Sequence, residues 1–310
     1  MSLITNIYKK KLVQRYDKDG IIPYLSFKDF EGLKCEENSF INSKNASISY
    51  FFYNFDNFDD SKIILFLHGI GPGHTAYMNE IYTICKAGYK VLTLDYMGCD
   101  KSGGEALESL NEPTRDVCDL LNHLKINKEV IVVGHSLGAY TSINILRLRD
   151  EIKKGVIISG FIDISDLLKS LVKMNGFVKK VLKYEKEINS DYFNDKYNYD
   201  FLKNTNKKLL FIHSKDDQLV PYEISTKQIE EMNNHSFEFV ITDGKKHNPN
   251  YTAEAVNYMN DVFSKYNALV KQKKLKTFEE KKNYFNDVLL SKITEQDNEI
   301  WNKIFSFLKK

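Results

Sequence analysis

Five short, almost unbroken apolar runs recur through the middle of the chain, and each is followed by a polar turn and a segment with helical spacing. They are Lys62–Leu67, Lys90–Leu94, Glu129–Val133, Gly155–Ile158 and Lys208–Ile212. A strand with one wet face alternates apolar and polar residues; these runs do not, so both of their faces must be covered. Strands alternating with helices at this spacing predict a doubly wound, mostly parallel α/β sheet. Helix start signals fit the scheme. Pro113 stands at a first-turn position ahead of Val117, Leu120, Leu121 and Leu124 on one stripe, and Pro221 opens another helix after Asp217. Ser47–Phe55 mixes polar and apolar positions and reaches Lys62 through an Asp/Asn-rich turn, which predicts an antiparallel start to the sheet.

The rhythm breaks twice. Residues 162–206 are polar and aromatic with helical spacing and no strand, so they read as a helical insertion over the sheet. After Asn248 a long helix carries Tyr251, Ala255, Tyr258, Val262, Tyr266 and Leu269 on one stripe. Beyond it, Thr277–Glu280 and Thr294–Asp297 resemble capping boxes, each ahead of an amphipathic stretch. The chain therefore divides into an N-terminal extension over 1–45 with a candidate first strand, a core over 46–270, and a helical extension over 271–310. The apolar faces of that extension are expected to pack on the core, with an interface to a partner as the alternative; the oligomeric state is left open.

Composition narrows the classes. In 310 residues, 42% apolar content is enough for a buried core, and 44 basic against 42 acidic side chains give no case for nucleic acid. No run reaches the roughly 18 apolar residues that span a bilayer, and Met1–Lys11 lacks a signal-peptide pattern. Cys35, Cys85, Cys99 and Cys118 are scattered, without disulfide or metal-ligand spacing. The expectation is a cytoplasmic protein with neither cofactor nor metal.

The chemistry concentrates at Gly134-His135-Ser136-Leu137-Gly138, directly after one apolar run and before the helical Ala139–Arg147. A serine on a sharp strand-to-helix turn takes a strained backbone, and glycines two residues away on each side remove clashes across it. The turn would lift Ser136 to the carboxyl edge of the sheet, where the helix N-terminus points its amides. A serine hydroxyl needs a base, and the base needs an orienting acid. His247, in the loop before the long helix, is the candidate base. Asp217 is the favoured acid, with the adjacent Asp216 and with Asp163, after the fourth run, as alternatives. An oxyanion requires pre-placed donors, and the candidates are the backbone N–H groups of Leu137 and Ile70, the latter in His68-Gly-Ile-Gly-Pro-Gly-His74. His68 and His135 read as structural neighbours of the turn; His74 and His213 read as loop-mouth residues without a role.

Together HGIG at 68–71, the stretch 88–104, GHSLG at 134–138, HSKDDQLVP at 213–221 and KKHN at 245–248 resemble the α/β-hydrolase superfamily, in particular its single-domain bacterial esterase/lipase-like members with a helical cap. The resemblance covers roughly residues 46–265. It implies a Ser–Asp–His triad, a two-amide oxyanion hole and a cap at 162–206. One loop departs from the family pattern: Met97–Gly104 lacks the arginine and one of the glycines that relatives carry there. The function expected is hydrolysis of small or lipid-like acyl esters through an acyl-enzyme. Thioesterase, proline-type aminopeptidase or acyltransferase chemistry on the same residues is the alternative, and a non-catalytic binding protein is the contrasting class.

Overall fold

The computed structural model describes residues 3–310 apart from Lys173, Ser190, Asp191 and 193–196, which lie within the insertion. Eight strands form one sheet: β1 (Lys34–Ile41), β2 (Ser47–Asn54), β3 (Asp59–Leu67), β4 (Tyr89–Leu94), β5 (Glu129–His135), β6 (Lys154–Ile158), β7 (Lys208–Ser214) and β8 (Phe237–Thr242). Their spatial order is β1-β2-β4-β3-β5-β6-β7-β8. β2 is antiparallel to both β1 and β4, and the remaining neighbours are parallel. The helices are α1 (Leu3–Lys11), α2 (Met78–Lys86), α3 (Glu112–Leu124), α4 (Leu137–Leu148), α5 (Ile164–Leu171), α6 (Asn175–Ile188), α7 (Tyr197–Asn204), α8 (Thr226–Glu230), α9 (Ala253–Lys271), α10 (Phe278–Tyr284), α11 (Leu290–Ile293) and α12 (Asn298–Lys309). None of the described helices is long and apolar enough to cross a membrane.

The unbroken apolar runs are explained by two buried layers. Ile63, Leu65 and Leu67 of β3 pack with Val117 and Leu120 of α3 and Ile143 and Leu146 of α4. Ile64 and Phe66, pointing the other way, pack with Ile81 and Ile84 of α2 and with Ile300, Trp301, Ile304 and Leu308 of α12. The tail therefore returns to the sheet: its last helix completes the layer that α2 begins. Trp301 is 1% exposed. Trp301→Ala is expected to cost about 3–5 kcal/mol, read from denaturant unfolding, because it opens a large cavity in a two-sided core. A change within the scatter of surface substitutions would refute that packing.

Helices α9, α10 and α11 form an annex beside the sheet with its own small core of Val262, Phe285 and Ile293, against which Ile21 and Ile22 of the N-terminal segment pack. The annex is pinned to α2 by a buried polar cluster. Asn250 donates to Gln296 (3.0 Å) and, at 3.4 Å, to Glu80; the Trp301 indole also donates to Gln296 (2.8 Å). Glu80 Oε2 and Asn250 Oδ1 are buried without a partner among the described residues. Burial raises the Glu80 carboxyl from 4.5 to about 7, with bonds from Tyr251 and Asn250 opposing the shift. Below about pH 4.5 both folded and unfolded chains hold this proton and it contributes nothing to pH dependence. As pH rises toward 7 only the unfolded chain releases it, so stability falls, by on the order of 3 kcal/mol in full. Glu80→Gln is expected to match wild type near pH 5 and to melt higher at pH 8; parallel melting profiles would contradict this.

Two local expectations are revised and one holds. Pro221 opens not a full helix but a single 3-10 turn, Tyr222–Ile224, followed by the short α8. Thr277 and Glu280 do form a capping box on α10. Thr294, by contrast, ends α11, and Asp297 itself caps α12 by accepting from Glu299 and Ile300 N–H, because the backbone turns between the two residues. The N-terminal segment also anchors the 97–104 loop. The Arg15 guanidinium donates to the carbonyls of Asp100 (2.9 Å), Ser102 (3.2 Å) and Gly104 (2.7 Å), and Tyr16 bridges to Cys99.

Candidate active site

Ser136 sits between β5 and α4 at φ 57°, ψ −117°, a positive-φ conformation that costs an L-residue about 1–3 kcal/mol. The surrounding contacts show why the motif needs glycines. A Cβ on Gly134 would lie 2.2 Å from Gly138 O, and one on Gly138 would lie 2.0 Å from Leu67 O. Strand, turn, helix and the end of β3 thus meet at backbone contact, and the strained turn is held from both sides. Ser136 N–H donates to Ile158 O of β6 (2.9 Å) and its carbonyl starts α4 by accepting from Ala139 and Tyr140. Gly69 also comes close: a Cβ there would lie 2.6 Å from the Tyr77 hydroxyl and 3.2 Å from Ser136 Cβ. The N–H groups of Leu137 and of Ile70, next to Gly69, donate to no protein acceptor among the described hydrogen bonds.

The loop after β8 brings His247 to the same edge. Its Nδ1 lies 2.7 Å from Asp217 Oδ2, so Nδ1–H donates to the carboxylate and Nε2 is left as the basic nitrogen. Asp217 Oδ1 accepts from Leu219 (2.9 Å) and Val220 (3.0 Å) N–H, and His213 Nε2 stands 3.3 Å from Oδ2 while also bonded to Val220 O. Burial pushes the Asp217 carboxyl up, but the hydrogen bonds from His213 and His247 outweigh it and hold the group well below the usual carboxylate range. It is an anion at any working pH.

Adjacent Asp216 points elsewhere. Its Oδ1 accepts from Ser214 Oγ (2.5 Å) and from Lys246 N–H (3.0 Å), so it fastens the backbone of the loop rather than the imidazole. Asp163 lies at the start of α5, after β6, where its carbonyl accepts from Asp166 and Leu167. His74 and His213, expected at loop mouths, are buried instead. His74 bonds Asp95 and Tyr53, and His213 bonds Thr226 and Val220.

One participant carried no sequence signal. Tyr77 accepts from Gly69 N–H (3.0 Å), and its hydroxyl lies 3.0 Å from His135 Nδ1. His135 Nε2 is 2.8 Å from the His247 carbonyl, which can only accept, so Nε2 carries the proton and Nδ1 accepts from Tyr77. Burial, with His247 next, pushes His135 down to about 3, so it stays neutral. The result is a relay from the Ile70 loop through Tyr77 and His135 to the backbone of His247, tying both loops to the turn that carries Ser136.

Eight strands in this order, with a strained serine turn after β5, form the α/β-hydrolase fold. The family model of the S33 serine aminopeptidases matches residues 59–200. An esterase of Pyrococcus furiosus superposes with a TM-score of 0.59 at 22% identity, covering 84% of this chain and 96% of that one. By sequence the chain is 33% identical over 96 residues to an epoxide hydrolase of Caballeronia sordidicola, 30% of this chain and 29% of the relative. It is 28% identical over 108 residues to a putative chloroplastic methylesterase of Arabidopsis thaliana, 33% of this chain and 31% of the relative. The chain thus matches less than a third of the length of these two curated relatives.

Proposed function

We propose that the protein is a serine hydrolase that cleaves carboxylic esters through an acyl-enzyme. The observation that carries the reading is the short Asp217–His247 hydrogen bond at the sheet edge that also bears Ser136. In this reading His247 Nε2 takes the Ser136 proton as Oγ attacks the ester carbonyl. Asp217 holds the imidazole in the tautomer that leaves Nε2 basic and stabilises the imidazolium that forms. The N–H groups of Ile70 and Leu137 receive the oxyanion, Leu137 with the added field of the α4 N-terminus. His247 then protonates the leaving alkoxide, and water repeats the sequence to release the acid.

Epoxide hydrolysis through a covalent intermediate needs a carboxylate at the nucleophile position, and position 136 is serine. Peptide-bond chemistry is favoured by the family match alone. A panel of p-nitrophenyl esters, an acyl thioester and an aminoacyl p-nitroanilide, combined with fluorophosphonate labelling, tests the reading. Labelling with ester turnover far above anilide turnover is the expected result. Labelling with preferred anilide cleavage would replace esterase by peptidase, and no labelling would overturn the serine-hydrolase reading.

A further inference from the structure

A cavity of about 260 Å³ lies behind the Ile70 loop, on a side of the site that no described residue of the 162–206 insertion lines. Its inner wall is Ile70, Gly71, Tyr77 and Asn248. Ile70 follows Gly69, Asn248 follows His247, and Tyr77 bonds Gly69, so this wall is joined through the chain and that bond to the groups around Ser136. The outer wall comes from the annex and the N-terminal segment, through Met259 and Phe263 of α9, Leu290 and Ile293 of α11, and Ile22–Leu25. These outer-wall residues lie outside the 59–200 stretch that matches the family model.

Resting on the ester-hydrolase reading, we propose that this cavity seats a short, uncharged hydrocarbon arm of the substrate ester, and that the two chain extensions thereby set substrate length. Three observations support it. Among the described residues no acidic or basic side chain lines the cavity, although 28% of the chain is charged. A carboxylate or the ammonium of an amino-terminal peptide would be stranded there without a counter-charge. The polar groups that reach the wall are mostly committed already, Asn79 to Thr294 and Tyr77 to Gly69 and His135. Thr75 Oγ1 is buried without a partner among the described residues, which leaves one place for a hydroxyl or carbonyl on the arm. The volume falls below the roughly 300–1,000 Å³ of sites for drug-sized ligands, so the arm is a few carbons long rather than a full fatty-acyl chain.

The test uses two variants of the full chain, Met259→Trp to fill the cavity and Phe263→Ala to enlarge it. Each is assayed on p-nitrophenyl esters from acetate to dodecanoate and on acetates of graded alcohols, with fluorophosphonate labelling of Ser136 as the check that the site is assembled. The expected result is that Met259→Trp lowers the hexanoate-to-acetate ratio of kcat/KM by about tenfold or more. Phe263→Ala should move the optimum to longer arms. A change in the acyl series alone assigns the cavity to the acyl arm, and a change in the alcohol series alone assigns it to the leaving alcohol; either supports the proposal. Labelled variants whose profiles parallel wild type in both series would overturn it while leaving the hydrolase reading intact. Failure of wild type itself to label would overturn the hydrolase reading and this assignment with it.

Discussion

Ser136→Ala is expected to lower kcat/KM for ester hydrolysis by about 10⁴- to 10⁶-fold and to abolish fluorophosphonate labelling, with the melting temperature nearly unchanged. The turn that holds Ser136 is built from backbone contacts of Gly134, Gly138, Leu67 and Gly69, and these do not involve the hydroxyl. Alanine at φ 57° bears the same strain as serine there, so the fold has no reason to respond. In the proposed mechanism, what disappears is the attacking oxygen. A residual rate above solution would persist, because the Ile70 and Leu137 amides still favour an oxyanion when water attacks in place of serine. Steady-state hydrolysis of a p-nitrophenyl ester reads the result; a variant that keeps wild-type turnover would place the chemistry elsewhere.

Asp217→Asn is expected to cost about 10⁴-fold in kcat/KM, and Asp216→Asn less than about tenfold. The two side chains are adjacent in sequence but do different things. In Asp217→Asn the new amide oxygen can keep the bonds from Leu219 and Val220 N–H, which turns the NH₂ group toward His247 Nδ1. Nδ1 must then accept, the ring proton moves to Nε2, and the base can no longer take a proton from Ser136. The amide in Asp216→Asn retains an oxygen for Ser214 and Lys246, so the loop keeps its anchor and the ring is untouched. Measuring both variants on one ester separates the roles. If Asp216→Asn were the severe change and Asp217→Asn the mild one, the orienting acid would be Asp216.

How far the sequence could be read depends on the range of the forces involved. The strands were legible because burial on both faces leaves a local trace, a run with no polar alternation. The serine turn was legible because backbone sterics confine it to glycine-flanked positions within about five residues. Between Asp216 and Asp217 the sequence yields only a preference for Asp217, since both precede Pro221 in the same loop and only the loop's path in space says which carboxylate meets a histidine 30 positions away. Tyr77 had no signal at all: a tyrosine ahead of a helix looks like any core residue until Gly69 and His135 are placed beside it. Likewise Arg15 meets a loop some 85 to 89 positions later, a pairing without any spacing rule.

The C-terminal helices show the same division. Periodicity marked Ile300, Trp301, Ile304 and Leu308 as one apolar face, but a face does not name what covers it. In the folded chain α12 lies on the sheet opposite α4, while α9, α10 and α11 build the annex around the cavity behind Ile70. Local sterics and the period of burial are written into neighbouring residues, and they suffice to specify the strands and the serine turn. Which carboxylate faces His247, which helix closes the core and which segments wall the cavity are settled only in three dimensions, because each depends on packing between surfaces that chain proximity does not bring together.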